Sequence, residues 1–563
     1  MKKKTLFLIF TTALISLVLI LALSSCSHKH EWGEWKTIKE ATCSADGEKE
    51  RICKCGDKQH LTVNSIPHQY AITQTVDPQA YEEGYVIRTC SECGYIRKTM
   101  IPVAPSEGLF YQLNLDNKGY TVIGIGKCTD TEIYIPKYYK NLEVTAIGEY
   151  SFDNCESITK VVIPDTVTTI KESAFYGCHN LTAVELPNSL TTIKESAFSG
   201  CHNLTAVELP DSLTTIGGGA FTDCHSLTDI KIPDSVTSIG SAAFADCHSL
   251  TSIEIPNGIT RISAATLSKC TSLTSVSIPD SVTYINNNAF SGCTSLTNII
   301  IPDSVTYINT YAFSSCSALT SIKLPKSITS IEKGMFSGCT ALENITIPSS
   351  VTTIKSYAFG NCTALTEITI PEGVVKIDEY AFRNCSALTT VRLPASLSFV
   401  SGNSFMYCEN ITNIYVSPDS KQYYTENNCL ITTESKTLIL ISKNGTIPSD
   451  GSVTRIASYA FTNMRNIEEL TIPEGITEIY SFAFSDFENL KSLVLPASLT
   501  TVYSSAFSGT KYFNLFMLVT KDKLEKINFN VNGNFALYLY SEEYISEKNY
   551  KYWHYVDGVP TPW

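Results

Sequence analysis

Between residues 155 and 408 the alternation of apolar and polar positions returns every 23 residues. One unit, 232–254, carries apolar side chains at Ile232, Val236, Ile239, Ala243, Phe244, Cys247, Leu250 and Ile253. Leu250, Ile253 and Ile255 bracket polar positions that alternate with them, which predicts a short strand with one buried face. Val236 and Ile239 mark a second short extended segment. Ala243, Phe244 and Cys247 stand at near-helical spacing on the stretch that returns the chain. Each unit is too small to bury its own apolar side, whereas stacked copies bury a continuous ladder with strands about 4.8 Å apart.

The period is carried by named columns. Eleven prolines from Pro164 to Pro394 and twelve cysteines from Cys155 to Cys408 keep the same step. Phe175, Phe198, Phe221, Phe244, Phe290 and Phe313 form a third column, in which Leu267 takes one place, and Leu181, Leu204, Leu227 and Leu250 a fourth. A fixed period of this length predicts a solenoid. The repeated Ile-Pro, Ala-Phe and Cys-x-x-Leu elements resemble the BspA-type leucine-rich repeat family of bacterial and some protozoan surface proteins. The resemblance implies a right-handed leucine-rich-repeat stack of short parallel strands with short helical or turn returns, displayed on the cell surface. Studied members of that family include adhesins for host matrix glycoproteins; the resemblance implies no enzyme and fixes no single ligand.

The pattern weakens in three places. Residues 107–154 carry Ile135-Pro136 and Ser151-Phe152 at irregular spacing and are expected to form an N-terminal cap repeat ahead of the regular repeats of 155–417. Within 418–448 the period fails, and Cys429-Leu430-Ile431 and Thr437-Leu438-Ile439-Leu440-Ile441 predict an inserted hairpin. Further repeats follow over 449–513. The tyrosine-rich tail, 514–563, is read as a C-terminal cap, with an aromatic sugar-binding platform as the alternative.

Composition narrows the function classes. With 563 residues, 43% of them hydrophobic and 17% charged, the chain has far more apolar material than one ordinary core needs, which excludes disorder over most of its length. A net charge of −13 without a long basic run gives no footprint for nucleic acid or for an anionic membrane surface. Lys2, Lys3 and Lys4 precede an apolar run over 6–23 that ends in Leu23-Ser24-Ser25-Cys26, an export-signal pattern over 1–25. It resembles the bacterial lipoprotein signal, whose last residue, here Cys26, becomes the lipid-modified first residue of the mature protein; an uncleaved signal anchor is the alternative. The expected location is the bacterial cell surface, with membrane contact through the lipid anchor alone.

Residues 26–106 form a Cys/His-rich segment in which two units align. Ala41-Thr42-Cys43 with Gly47, Arg51, Cys53, Cys55 and Gly56 matches Gly84, Arg88, Cys90, Cys93 and Gly94. Both read as short β ribbons closed by a tight turn. Cys43, Cys53, Cys55, Cys90, Cys93, His30 and His68 are candidate metal ligands, and Cys90-x-x-Cys93 has the spacing of a zinc knuckle. Cys53-Lys54-Cys55 is one residue short of that spacing, and Ala80 stands where the first unit has Cys43. Structural zinc, disulfides and free thiols all stay open. No H-E-x-x-H frame points to catalytic zinc. Trp32 and Trp35 are expected to pack the module, which resembles small Cys/His modules that precede repeat domains and implies a stalk.

The cysteine column gives way to Met464, Phe487 and Thr510 in the last turns, which marks it as a packing position rather than a disulfide or metal array. His179, His202, His225 and His248 form another column, continued by Thr271, Thr294, Ser317 and Thr340, and are read as exposed polar choices. Recognition is expected on the solvent-facing strand positions. The candidate ligand face holds Glu185, Glu208, Lys231, Glu254, Ile300, Lys323 and Arg392, with Tyr284 and Tyr307 placed beside Ile300 as an aromatic and apolar contact patch. No nucleophile elbow, phosphate-binding loop or paired carboxylates in an inserted catalytic domain accompany it. The reading is a binding scaffold or adhesin for extracellular glycoproteins or glycans that requires no cofactor. A structural envelope protein and, behind it, a polymer-acting enzyme are the alternatives.

Overall fold

The computed structural model describes residues 31–563 except 42–44, 65–69, 77–83, 92–93, 102–104, 465–466, 530 and 547–548. The expectations for the signal segment and for Cys26, His30, Cys43, His68 and Cys93 lie outside the described residues. The chain divides into two compact units, 1–105 and 106–563.

The first unit holds two three-stranded antiparallel meanders, Lys36–Lys39 with Gly47–Ile52 and Lys58–Val63, and Tyr70–Val76 with Gly84–Cys90 and Ile96–Ile101. Each central strand leads into a tight turn, closed by Gly56 N–H to Cys53 O (2.8 Å) and by Gly94 N–H to Cys90 O (3.0 Å). Both glycines have positive φ, 94° and 75°, a conformation that side chains resist. Arg51 lies over the rings of Trp32 and Trp35, 5.1 and 4.6 Å from their centroids. Among the described residues of this unit the buried apolar side chains are Cys53, Leu61 and Cys90. A core that small ordinarily leans on cross-links or metal.

The second unit is a leucine-rich-repeat solenoid built on two parallel ladders. In the first, strands such as Ala183–Glu185, Ala206–Glu208, Asp229–Lys231 and Ser252–Glu254 bury only their middle residue. In the second, two-residue strands such as Thr169–Ile170, Thr192–Ile193 and Thr215–Ile216 bury the isoleucine. Paired residues are 23 apart, as in Thr169 with Thr192 and Asp229 with Ala206. The alternation that predicts a half-buried strand therefore persists even where a strand has shrunk to two residues.

The returns are turns, and the only helix among the described residues is Lys521–Leu524. Two left-handed positions explain why near-helical spacing yields no helix. Ser173 and Gly177 have φ of 52° and 66°, Ser196 and Gly200 repeat this, and Ala242 and Asp246 follow. A left-handed residue every fourth position breaks an α-helix. The freed amides bond along the stack instead: Ser173 N–H to Glu195 O (2.9 Å), Phe175 N–H to Ala197 O (2.8 Å) and Gly177 N–H to Ser199 O (2.8 Å).

Side chains continue the same accounting. Thr191 and Thr214 donate their hydroxyls to the carbonyl 23 residues earlier at 3.1 Å, and Ser212 and Ser235 donate to the carbonyl 22 residues earlier at 2.6 Å. Eleven cysteines, Cys178 to Cys408, are fully buried, and each points its thiol at the carbonyl 26 residues back, at 3.0–3.3 Å. Stacked rings run from Phe152 to Phe244 and from Phe290 to Phe405, with neighbouring centroids 5.0–5.8 Å apart. Buried Leu267 bridges the gap.

The interruption is not a lone hairpin. Tyr423–Glu426, Cys429–Thr432 and Thr437–Ile441 form an antiparallel meander whose third strand pairs in parallel with Arg455–Ile456 and so carries the second ladder onward. Cys429, Leu430, Ile431, Leu438, Leu440 and Ile441 are buried, which ties the segment to the core on both sides. At the start of the unit Phe110–Leu113 pairs antiparallel with Gly119–Gly124. At its end Phe535–Tyr540 and Lys551–Val556 extend the first ladder, and Val559–Pro562 closes it antiparallel. Pro560 and Pro562 remove amide donors from that edge strand. Trp553 is buried, with its indole N–H donated to Met517 O (3.1 Å), while Tyr555 and Trp563 remain exposed.

Candidate binding surface

The first ladder presents an exposed side chain after the buried middle residue of each strand, and on many turns a second one before it. Glu208 faces Lys231, Glu254 faces Ser277, Ile300 faces Lys323, Lys323 faces Thr346, and Thr369 faces Arg392, which faces Tyr415. Glu185 pairs with Lys160 at 3.0 Å, and the Arg392 guanidinium lies 4.5 Å from the Tyr415 ring centroid. Ile300 is 76% exposed, an apolar residue with charge and hydroxyls along the same row. The row is thus a regular array of chemically different groups about 4.8 Å apart, suited to many weak contacts with an extended partner.

Tyr284 and Tyr307 do not join that row. They lie in the second ladder, Tyr284–Ile285 and Tyr307–Ile308, whereas Ile300 bridges Lys323 in the first. Six residues, including the turn at Pro302, separate Ile300 from Tyr307, so the chain has already passed to the other sheet. The expected single patch is therefore divided between two sheets.

The tyrosines belong instead to a chain of contacts along the second ladder. Arg261 lies 4.4 Å from the Tyr284 centroid, and Tyr284 stacks on Tyr307 at 5.0 Å. Burial, and then hydrogen bonding and charge from Glu332, push the Tyr307 hydroxyl up to about 12. Glu332 takes a hydrogen bond from Ser330 (2.5 Å) and two from Lys355 (2.7 Å each). Glu332 and Lys355 lie one 23-residue step apart, a signal in the sequence that the exposed-row reading does not use.

The four histidines stack. Ring centroids are 4.3 Å apart for His179 and His202, 4.6 Å for His202 and His225, and 4.8 Å, edge-on, for His225 and His248. His179 Nδ1 contacts Gly200 O at 2.8 Å, and His248 Nδ1 contacts Asp246 O at 2.6 Å. Burial, followed by the neighbouring His179 and His225, holds His202 below the usual imidazole range.

In the first unit Cys53 and Cys55 share one meander and Cys90 belongs to the other. His60 contacts Glu48 at 2.6 Å. Among the described residues no cluster of three or more His, Cys, Asp or Glu side chains is arranged to hold a metal ion. Among the same residues no helix is long and apolar enough to cross a membrane.

Among solved structures, a leucine-rich repeat protein from Bacteroides ovatus is 25% identical over 77% of this chain and 98% of its own, with a TM-score of 0.48. A leucine rich cell surface protein from Faecalibacterium prausnitzii is 28% identical over 76% of this chain and 98% of its own, with a TM-score of 0.41. The T. pallidum leucine rich repeat protein is 31% identical over 34% of this chain and 90% of its own, with a TM-score of 0.33. A search of curated protein sequences gave no match. The model of the BspA type leucine rich repeat region, six copies, matches residues 145–274, 260–363, 335–450 and 434–538. Two ladders, a phenylalanine stack and a thiol column run through that same stretch, and the chain belongs to the BspA-type leucine-rich repeat family.

Proposed function

We propose that this protein is a lipid-anchored cell-surface adhesin or binding scaffold that recognises extracellular glycoproteins or glycans through the exposed row of its first ladder. The observation that carries the reading is the row itself. Glu185, Glu208, Lys231, Glu254, Ile300, Lys323 and Arg392 are exposed at multiples of the 23-residue repeat along one ladder, while the middle residue of each strand is spent on packing. Charge of both signs at regular spacing favours orientation and selectivity over raw affinity. The described cell-surface relative from F. prausnitzii is in keeping with the location. Cys26 supplies the anchor, and the Cys/His module serves as the spacer, with zinc or disulfides compensating for its small core.

The reading is tested with the protein from residue 27 onward on an array of matrix proteins, mucins and glycans. Saturable binding to one ligand class, weakened at least about tenfold in a Glu208→Lys, Lys231→Glu, Glu254→Lys variant, supports it. A folded protein that binds nothing at micromolar concentration removes the adhesin and leaves a structural envelope role.

A further inference from the structure

The last regular turns before the interruption line a half-open cavity of about 330 Å³, at the small end of the range for small-molecule sites. Asn361, Arg383, Asn384, Ser386, Tyr407, Glu409 and Asn410 line it. All seven belong to the returning turns, and none lies in either ladder.

Two features set these turns apart. Arg383 stands where earlier turns carry small side chains, Ser291, Ser314, Ser337 and Gly360. Its guanidinium lies between two rings, 5.9 Å from the Tyr380 centroid and 5.4 Å from that of Tyr407. Its Nε is buried and has no acceptor among the described residues. Tyr407 adopts φ of 64° at a position filled by Gly338, Asn361 and Asn384 in preceding turns, an unusual conformation for a bulky residue. It is held there from beyond the interruption: its hydroxyl donates to Asp486 (2.9 Å), and the next amide, Cys408 N–H, donates to Asn463 Oδ1 (2.9 Å).

The lining mixes donors and acceptors within one small space. Asn384 Nδ2 donates to Asn361 Oδ1 (2.9 Å), which leaves the Asn361 amide as donor and the Asn384 carbonyl as acceptor outside that bond. Asn410 is fixed by Ser386 O (2.8 Å) and Lys443 (2.9 Å). Arg383 adds donors, Ser386 a hydroxyl, and Glu409 a negative charge in the lining. A simple anion would meet the Glu409 carboxylate, and an apolar ligand would strand the amides. Vicinal hydroxyls, each donor and acceptor at once, satisfy both sets. We propose that this cavity binds a single sugar ring, a pyranose unit of a glycan, at a site separate from the first-ladder row.

The test uses the full-length protein and saturation-transfer NMR with the methyl glycosides of glucose, galactose, mannose and N-acetylglucosamine, with inorganic phosphate as the anion control. At least one glycoside is expected to saturate in the millimolar range, the strength of a ligand of about a dozen non-hydrogen atoms. Arg383→Gln weakens it at least about tenfold. Ser386→His blocks the cavity without harming the fold, because His179, His202, His225 and His248 occupy the same column. Asp303→Asn, an exposed turn residue in neither the cavity nor the ladder row, leaves the glycoside signal unchanged. The proposal is overturned if no glycoside saturates, if phosphate binds more tightly than every glycoside, or if Ser386→His binds as well as the unchanged protein.

Discussion

Lys355 places its ammonium 2.7 Å from each carboxylate oxygen of Glu332, one turn of the solenoid away, and the Glu332 side chain is only 4% exposed. A carboxylate so enclosed depends on its partner. Lys355→Ala is expected to destabilise the protein by about 1–2 kcal/mol, less than a fully buried pair would lose because the lysine is part exposed. Urea unfolding followed by circular dichroism checks this, with Glu332→Gln combined with Lys355→Ala recovering part of the loss.

The phenylalanine stack grades substitutions by shape. Leu267 already occupies the column, so Phe290→Leu is expected to cost about 1 kcal/mol and Phe290→Ala about 3–5 kcal/mol. Thermal melts of the two variants separate these values.

Burial pushes the Cys270, Cys316 and Cys362 thiols up to about 12. In the unfolded chain the same thiols ionise near their ordinary value. Their contribution is therefore complete below about pH 8.5 and is lost as pH rises toward 12. Unfolding midpoints should fall steadily across that alkaline window. A disulfide-style exchange reagent at pH 8 should leave Cys178 to Cys408 unmodified until the protein unfolds.

The histidine stack acts on the acid side. His202 is held below the usual range in the fold, so the unfolded chain takes up its proton first as pH falls below about 6.5, and stability declines from there until the folded imidazole is also protonated. His202→Thr, the residue type of Thr271 and Thr294 in the same column, should flatten the difference in melting temperature between pH 7.5 and pH 5.

The ladders, the buried columns and the thiols' packing role were legible because a period of 23 compounds a weak signal over many turns. The turn returns were not. Ala242, Ser196 and Tyr357 adopt left-handed backbone without the glycine or asparagine that ordinarily announces it, because stacked neighbours impose the conformation. The serine and threonine positions read as a polar field, yet many of them are hydrogen-bond rungs between turns, an assignment that needs the 22- and 23-residue offsets in three dimensions. Spacing along the chain groups Tyr307 with Ile300 and does not reveal that the Pro302 turn moves it to the other sheet. The alternation of 418–448 shows the two strands of a hairpin, but neither the added strand Tyr423–Glu426 nor the parallel pairing with Arg455–Ile456 beyond the break.

The most direct test of the central claim compares the unchanged protein with the Glu208→Lys, Lys231→Glu, Glu254→Lys variant against whichever matrix glycoprotein or glycan the array identifies, by titration at two salt concentrations. If the first-ladder row is the recognition face, the variant keeps its melting temperature and loses at least about tenfold in affinity, and the unchanged protein binds more weakly at high salt. Equal affinity of the two proteins for that ligand, with both folded, would contradict it.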